Sequence, residues 1–390
     1  MKKIARLLAP LTSSVLLRLV QLLVMVVGAQ LVGQEIRPSF IAAFSVVAAF
    51  GVFTDSGAAT YLLASDAVGR RILALALRIQ LVLSAGGLVA ATLFSLLALP
   101  WADHMHGLLI VGSLAATQGI DSVTRVARSV RLRQGDDLGF AAGDGLSAVA
   151  KLAVVGGGLL AGSIYFVAIL PIASLAVLLT MLVLAKRTPL VDSEATPRIR
   201  SVLQYGVAGA LSGLYSQTPY LLATWMLPVE AVAVLSVILR VIQPMEIAPA
   251  VASQQLLPRI RRMSPQFWFV WWAVFAGGGL LLGAAIVVAR TPLEILFDQN
   301  LTPLLVLSLM ACTVPAKFGN YLLSALTLAL GGVRSKITVS LCAGFVAVAS
   351  SLVLLPLVGA PGAPVSMLAS EAVLGGGLIL AIRAAHRKAP

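Results

Sequence analysis

Charged side chains inside long apolar stretches are the residues of this chain that could do chemistry. Arg18, Lys151, Arg240 and Lys317 are basic and lie near the middle of such stretches. Asp55, Asp121, Asp144, Glu246 and Glu371 are their acidic counterparts. A charge at mid-bilayer costs ~2.5–3.5 kcal/mol on insertion scales, so it faces a bundle interior or a wet cavity. Four cations drawn from both halves of the chain suit an anionic ligand. Arg and Lys bind phosphate strongly, Arg through its bidentate fork. The carboxylates suit a second chemistry, carrying a coupling proton or sodium ion. Internal ion pairing competes with both. Asp144 and Lys151 are seven residues apart and share a helix face, while Asp121 and Arg125 are four apart and could pair directly. Arg18, Arg240 and Lys317 have no acid three or four residues away. Glu246 is six from Arg240 and points elsewhere on a regular helix, unless Pro244 kinks it. Asp55, within Phe53-Thr54-Asp55-Ser56-Gly57, reads as a capping or pairing residue as readily as an ion carrier. Arg78 lies two turns into its stretch and can snorkel back to the surface.

The composition explains why these charges count as intramembrane. Of 390 residues, 59% are hydrophobic and 11% charged, and mean hydropathy is +1.00. A soluble domain needs a polar exterior; a lipid-facing one does not. A spanning helix takes ~20 apolar residues and satisfies its backbone internally. Such stretches predict an all-α integral membrane protein with about 12 transmembrane helices, at about 8–32, 39–63, 72–97, 106–128, 138–161, 164–186, 200–226, 229–257, 268–289, 301–330, 333–357 and 361–383. Breaks fall at Gly162-Ser163, Leu227-Pro228 and Gly359-Ala360-Pro361-Gly362. The basic start Met1-Lys2-Lys3-Ile4-Ala5-Arg6 mimics a signal peptide, but the run is long, contains Arg18 and precedes many spans, so it reads as the first helix.

The positive-inside rule tests the count. With an internal N-terminus and an even number of spans, 21 of the 28 Lys and Arg residues fall at every second loop. They run from Lys2, Lys3 and Arg6 through Arg70-Arg71 and Arg125–Arg133 to Arg383, Arg387 and Lys388. The opposite loops hold Arg37 and Arg290, and five basic residues lie within spans. The alternation persists to the C-terminus, placing both termini in the cytoplasm. It also accounts for the net charge of +13 without a nucleic-acid partner. The longest polar stretch, KRTPLVDSEATPRIR at 186–200, divides the chain into a six-helix lobe at 1–188, a cytoplasmic linker at 189–199 and a second six-helix lobe at 200–390. Duplicated halves are common in transporters.

Other features carry less. Cys312 and Cys342 lie in apolar segments and read as small packing residues. His104 and His106 form an H-x-H pair in an outer loop, too few ligands for a metal, and no cofactor is expected. The triplets Gly156-Gly157-Gly158 and Gly277-Gly278-Gly279 lack a phosphate-loop context and read as close helix packing. Pro219, Pro244, Pro249 and Pro315 each remove a helix hydrogen bond and read as kinks, static or mobile.

Three stretches carry a resemblance. The segment 219–262, PYLLATWMLPVEAVAVLSVILRVIQPMEIAPAVASQQLLPRIRR, is similar to helices 7 and 8 of the polysaccharide flippases, a branch of the multidrug/oligosaccharidyl-lipid/polysaccharide exporter superfamily. Helix 8 there ends in a Pro-Arg step, here Pro258-Arg259. The family often has an acid near Thr218 or Pro219, and this chain has none. Residues 358–373, VGAPGAPVSMLASEAV, resemble the family's last helix, where small residues precede Ser370-Glu371. In helix 2, FGVFTDSGAATYLLAS resembles its Asp-x-Gly segment. The resemblance implies two six-helix lobes around a central cavity and alternating access. It implies a flippase that carries a polyprenyl-diphosphate-linked oligosaccharide across a bacterial cytoplasmic (inner) membrane for O-antigen, capsule or exopolysaccharide biosynthesis, alongside polysaccharide polymerase machinery. Arg18 and Arg240 lie on helices that flank the family's cleft; Lys317 and Lys151 complete the implied anion-binding set.

The rival is another twelve-helix carrier, a major facilitator or a multidrug exporter of a small molecule. Asp66-Ala67-Val68-Gly69-Arg70-Arg71 partly matches the facilitators' loop motif, without its first Arg or the preceding Gly. An enzyme is not expected: membrane glycosyltransferases need sizeable acidic outer loops and membrane acyltransferases a buried His. This chain has neither, since its third histidine, His386, is in the tail.

Overall fold

The computed structural model describes residues 2–64, 69–101, 103–187, 199–260, 265–297, 304–330 and 332–388. Fourteen helices follow one another among these residues: α1 (Lys2–Leu31), α2 (Arg37–Phe53), α3 (Ala58–Ala64), α4 (Arg70–Ala98), α5 (His104–Arg133), α6 (Asp137–Ala161), α7 (Phe166–Arg187), α8 (Ile199–Met226), α9 (Val229–Ile260), α10 (Pro265–Val288), α11 (Arg290–Phe297), α12 (Leu304–Ala329), α13 (Val333–Val358) and α14 (Gly362–Lys388). Nine are long and apolar enough to cross a bilayer. Adding α5, α8 and the α2–α3 pair gives the twelve segments expected. Helix α11 is eight residues long, about 12 Å, and too short to span. The protein is a multi-pass α-helical membrane protein.

The chain forms two compact units, Met1–Ala210 and Leu211–Pro390. The division falls inside α8, whereas the sequence suggests a boundary at 189–199. Residues 188–198 lie outside the described residues. The first turns of α8 belong with the first unit because Val202 is buried there among Ala58, Leu62, Ile72, Val126 and Ala185.

Each unit has a central helix. In the first, α5 packs against α2, α3, α4, α6 and α7; in the second, α12 packs against α9, α10, α13 and α14. A helix surrounded by protein need not be apolar all round. For that reason α5 can carry Asp121, Arg125 and Arg128, and it is not among the nine hydropathic spans. Two of the predicted breaks are closed by glycine: Gly162 and Gly359 have φ of +60° and +69°, values that cost a side-chain-bearing residue.

The expectation of one helix over 39–63 is corrected. That segment is broken at Thr54–Gly57 into α2 and α3. Gly57 has φ +66°, and a Cβ there would lie 2.3 Å from the backbone nitrogen of Gly206 on α8. The break lets two backbones touch. Backbone that leaves the helix at membrane depth must be satisfied by protein or water. Here Gln80 of α4, 1% exposed, fills that role. Its Oε1 accepts from the Ser56 backbone N–H at 3.0 Å and from Ser56 Oγ at 2.6 Å, and its Nε2 donates to the Thr54 carbonyl at 3.2 Å.

Each glycine triplet packs through one member. A Cβ on Gly158 would meet the Phe166 ring at 2.6 Å, and one on Gly279 would meet the Pro315 Cα at 2.7 Å, whereas Gly156, Gly157, Gly277 and Gly278 have nothing near. Gly283 repeats the close approach one turn on, against the Ala311 carbonyl at 2.7 Å, so α10 and α12 meet along a small-xxx-small seam. The helices α8, α9 and α12 run continuously through Pro219, Pro244, Pro249 and Pro315. Cys312 and Cys342 are exposed free thiols, correcting the expectation that they pack internally.

Candidate functional site: charges carried by the helices

In the first unit the acids pair with cations of other elements, not along their own helix. Asp121 of α5 forms an ion pair with Lys151 of α6 and accepts from Ser174 Oγ of α7 at 2.9 Å. Lys151 is 2% exposed. Asp144 of α6 forms an ion pair with Arg128 of α5 and accepts from Ser14 Oγ of α1 at 2.7 Å. The Arg128 guanidinium also sits 4.3 Å above the Phe140 ring centroid, a cation–π contact. Asp55, in the break after α2, accepts from Arg125 Nη1 of α5 at 3.2 Å and from the Gly57 N–H at 2.9 Å. The expected Asp121–Arg125 and Asp144–Lys151 relationships are therefore corrected. Arg125 and Arg128 pair with Asp55 and Asp144 on neighbouring elements, Arg128 buried and Arg125 partly exposed.

The second unit is built differently. Lys317 of α12 donates to Glu246 Oε1 of α9 at 2.7 Å. One turn on, Asn320 Nδ2 donates to Glu371 Oε2 of α14 at 2.7 Å and to the Glu371 carbonyl at 2.8 Å. Glu371 is buried at 4% exposure. Its hydrogen-bond partner is thus a neutral amide, whereas Asp55, Asp121, Asp144 and Glu246 each have a cation in contact.

Arg18 and Arg240 share one local device. Arg18 Nη1 donates to Gln21 Oε1 at 3.0 Å, and Arg240 Nη1 donates to Gln243 Oε1 at 2.9 Å. Each glutamine sits one turn beyond its arginine on the same face and orients the guanidinium plane. The sequence carries the signal twice: Leu17-Arg18-Leu19-Val20-Gln21 on α1 and Leu239-Arg240-Val241-Ile242-Gln243 on α9. A search for charged residues alone passes over it, as it passes over Gln80 and Asn320.

At the start of α5, His106 of the H-x-H pair is otherwise engaged. His106 Nδ1 lies 2.5 Å from Asp103 Oδ2 and its Nε2 lies 3.1 Å from the Tyr165 hydroxyl. Asp103 caps α5 by accepting from the Met105 N–H at 2.9 Å. That bond first, and His106 second, hold its carboxyl below the usual carboxylate range. No group of three metal-ligating side chains occurs among the described residues.

The backbone course resembles solved structures over nearly its whole length. A MOP superfamily transporter from Pyrococcus furiosus, described as having a binding pocket of reverse polarity that suggests a different function, matches at 16% identity and TM-score 0.66, covering 98% of this chain and 95% of that one. The fold is that of the MOP superfamily transporters. An outward-facing multidrug resistance MATE family transporter of that superfamily matches at 15% identity and TM-score 0.65, over 99% and 96% of the two chains. The MATE multidrug transporter DinF-BH in complex with R6G matches at 13% and 0.67, over 98% and 95%. No family model and no curated protein matches the sequence.

Proposed function

We propose that the protein is a flippase moving a polyprenyl-diphosphate-linked oligosaccharide across the bacterial cytoplasmic membrane for surface polysaccharide biosynthesis. The observation that supports this most is the repeated arginine–glutamine device, one copy in each compact unit. An oriented guanidinium within an apolar span suits a diphosphate or a sugar acid. Arg18 and Arg240 are assigned to the anionic head group. Lys317 and Lys151 join them only by exchanging Glu246 and Asp121 for the ligand. The sequence resemblance at helix 2, at 219–262 and at 358–373 points the same way. Both termini are placed in the cytoplasm by the charge alternation, and the polymerase machinery is the consumer of the flipped product.

Transport is assigned to alternating access, in which ligand drives the cycle only by binding one state better than another. Glu371 is the proposed ion-coupling group. The acids Asp55, Asp121, Asp144 and Glu246 have a cation in contact, so a proton or sodium ion would have to displace it; the Glu371 carboxylate accepts its hydrogen bond from the neutral Asn320 amide.

The test is complementation of a strain lacking its own O-antigen or exopolysaccharide flippase, with surface polymer assayed at matched membrane abundance. Rescue by the native chain and loss in Arg18→Ala and Arg240→Ala support the reading. Rescue that survives both substitutions removes the site. Export of a small organic molecule is the second reading, favoured by the multidrug descriptions of two structures that share the fold. It predicts raised resistance to cationic dyes and no polymer rescue.

A further inference from the structure

Helix α4 carries three arginines at exposed positions. It spans 29 residues, Arg70–Ala98, and is among the nine helices able to cross a bilayer. Its buried face, from Ile72 and Ala76 through Gln80, Ser84 and Gly87, packs into the first unit. The opposite face is exposed and almost wholly apolar: Leu81, Val82, Val89, Leu93 and Leu97 are between 53% and 75% exposed. Arg78 lies on this exposed face, and so do Arg70 and Arg71 at its start. Seven residues separate Arg71 from Arg78, so the two share a line along the helix, about 10 Å apart. Arg78 makes no hydrogen bond or ion pair with any described residue, unlike Arg125 and Arg128 on the neighbouring α5.

A guanidinium inside the hydrocarbon edge with no protein partner must find its counter-charge in the bilayer. Its stem reaches back toward the arginine end of the helix. There, phosphates are the acceptors whose geometry suits an arginine fork. We propose that the lipid-facing side of α4 is a binding site for an anionic phospholipid of the leaflet at the Arg70 end. The phosphate lies between Arg71 and Arg78, with its acyl chains along the Leu81–Leu97 face. None of these arginines is among the residues assigned to the transported head group.

The full-length protein in nanodiscs of phosphatidylcholine and phosphatidylglycerol tests it, with bound lipid counted by native mass spectrometry. Arg78→Gln should lower the preference for phosphatidylglycerol about fivefold, the effect of one basic side chain at an anionic surface. Arg334→Gln, at an exposed position opening α13 in the other unit, should leave it unchanged. An unaltered preference in Arg78→Gln overturns the proposal. So does an equal fall in Arg334→Gln, which would mark diffuse attraction to the surface. If the lipid retained from cell membranes is a polyprenyl diphosphate, the proposed occupant is wrong. Should Arg78→Gln not be recoverable, Arg78→Lys replaces it: the lost fork must weaken the preference, and no change overturns the site.

Discussion

The Lys151–Asp121 contact is buried between α5 and α6, and its energetics follow from what would remain if one partner were removed. Breaking a buried pair from one side strands a charge and costs ~3–5 kcal/mol, whereas replacing both partners by apolar groups is often neutral. Lys151→Met alone should therefore lower the thermal midpoint in detergent sharply, and Lys151→Met with Asp121→Leu should recover most of the loss. A double variant as unstable as the single would show that Ser174 or the wider network depends on Asp121 itself. The types of these charges and the helices that carry them are legible in the sequence. Their partners are not, since spacing along a helix reports only neighbours on that helix. Arg125 could reach Asp121 along α5, yet it meets Asp55, which comes within reach only because the chain unwinds at Thr54–Gly57.

At the scale of elements, the unwound segment depends on Gln80. In Gln80→Leu the Ser56 and Thr54 groups lose their buried partner. Each unsatisfied group costs ~1–3 kcal/mol, so the variant should melt earlier and exchange its amides faster across residues 54–61. Protection equal to the native chain would mean that water or another side chain holds the break. The α10–α12 seam offers a steric counterpart. Gly279→Leu cannot fit against Pro315 at the distance observed and should reduce folded yield, while Gly277→Leu, with nothing near its Cβ, should not. At the N-terminal end of α5, acid should loosen the first turn. Asp103 is stabilising while ionised, because its carboxyl is held below the ordinary range by the Met105 N–H and His106. That contribution is present above the ordinary carboxylate pKa and fades as pH falls through the lowered folded value. Hydrogen exchange at Met105 and its neighbours, followed toward low pH, measures it. Hydropathy and charge alternation are enough to place the twelve segments. They miss the break in helix 2 because Phe-Thr-Asp-Ser-Gly lies between apolar residues, and hydropathy averages over it.

For the whole molecule, the charge alternation predicts a topology that cysteine labelling can check. In intact cells, a cysteine introduced at Glu35, in the turn between α1 and α2, should react with a membrane-impermeant maleimide, and one at Gln134, between α5 and α6, should not. The reverse pattern would turn the protein over. Cys312 and Cys342 first need replacement by serine, since both are exposed free thiols. The fold emerges at this scale: hydropathy gives the spanning segments, and the backbone agrees with MOP superfamily transporters across 98% of the chain. The cargo does not emerge from fold, since that fold also serves multidrug transporters. It rests on Arg18 and Arg240. The most direct measurement is translocation in proteoliposomes of a fluorescent polyprenyl-diphosphate oligosaccharide, read by the fraction open to an impermeant quencher. Fast equilibration across the bilayer is expected with the native chain, and a large slowing in Arg18→Ala and Arg240→Ala. Equilibration no faster than in empty liposomes, with a cationic dye moved by the same preparation, would contradict it.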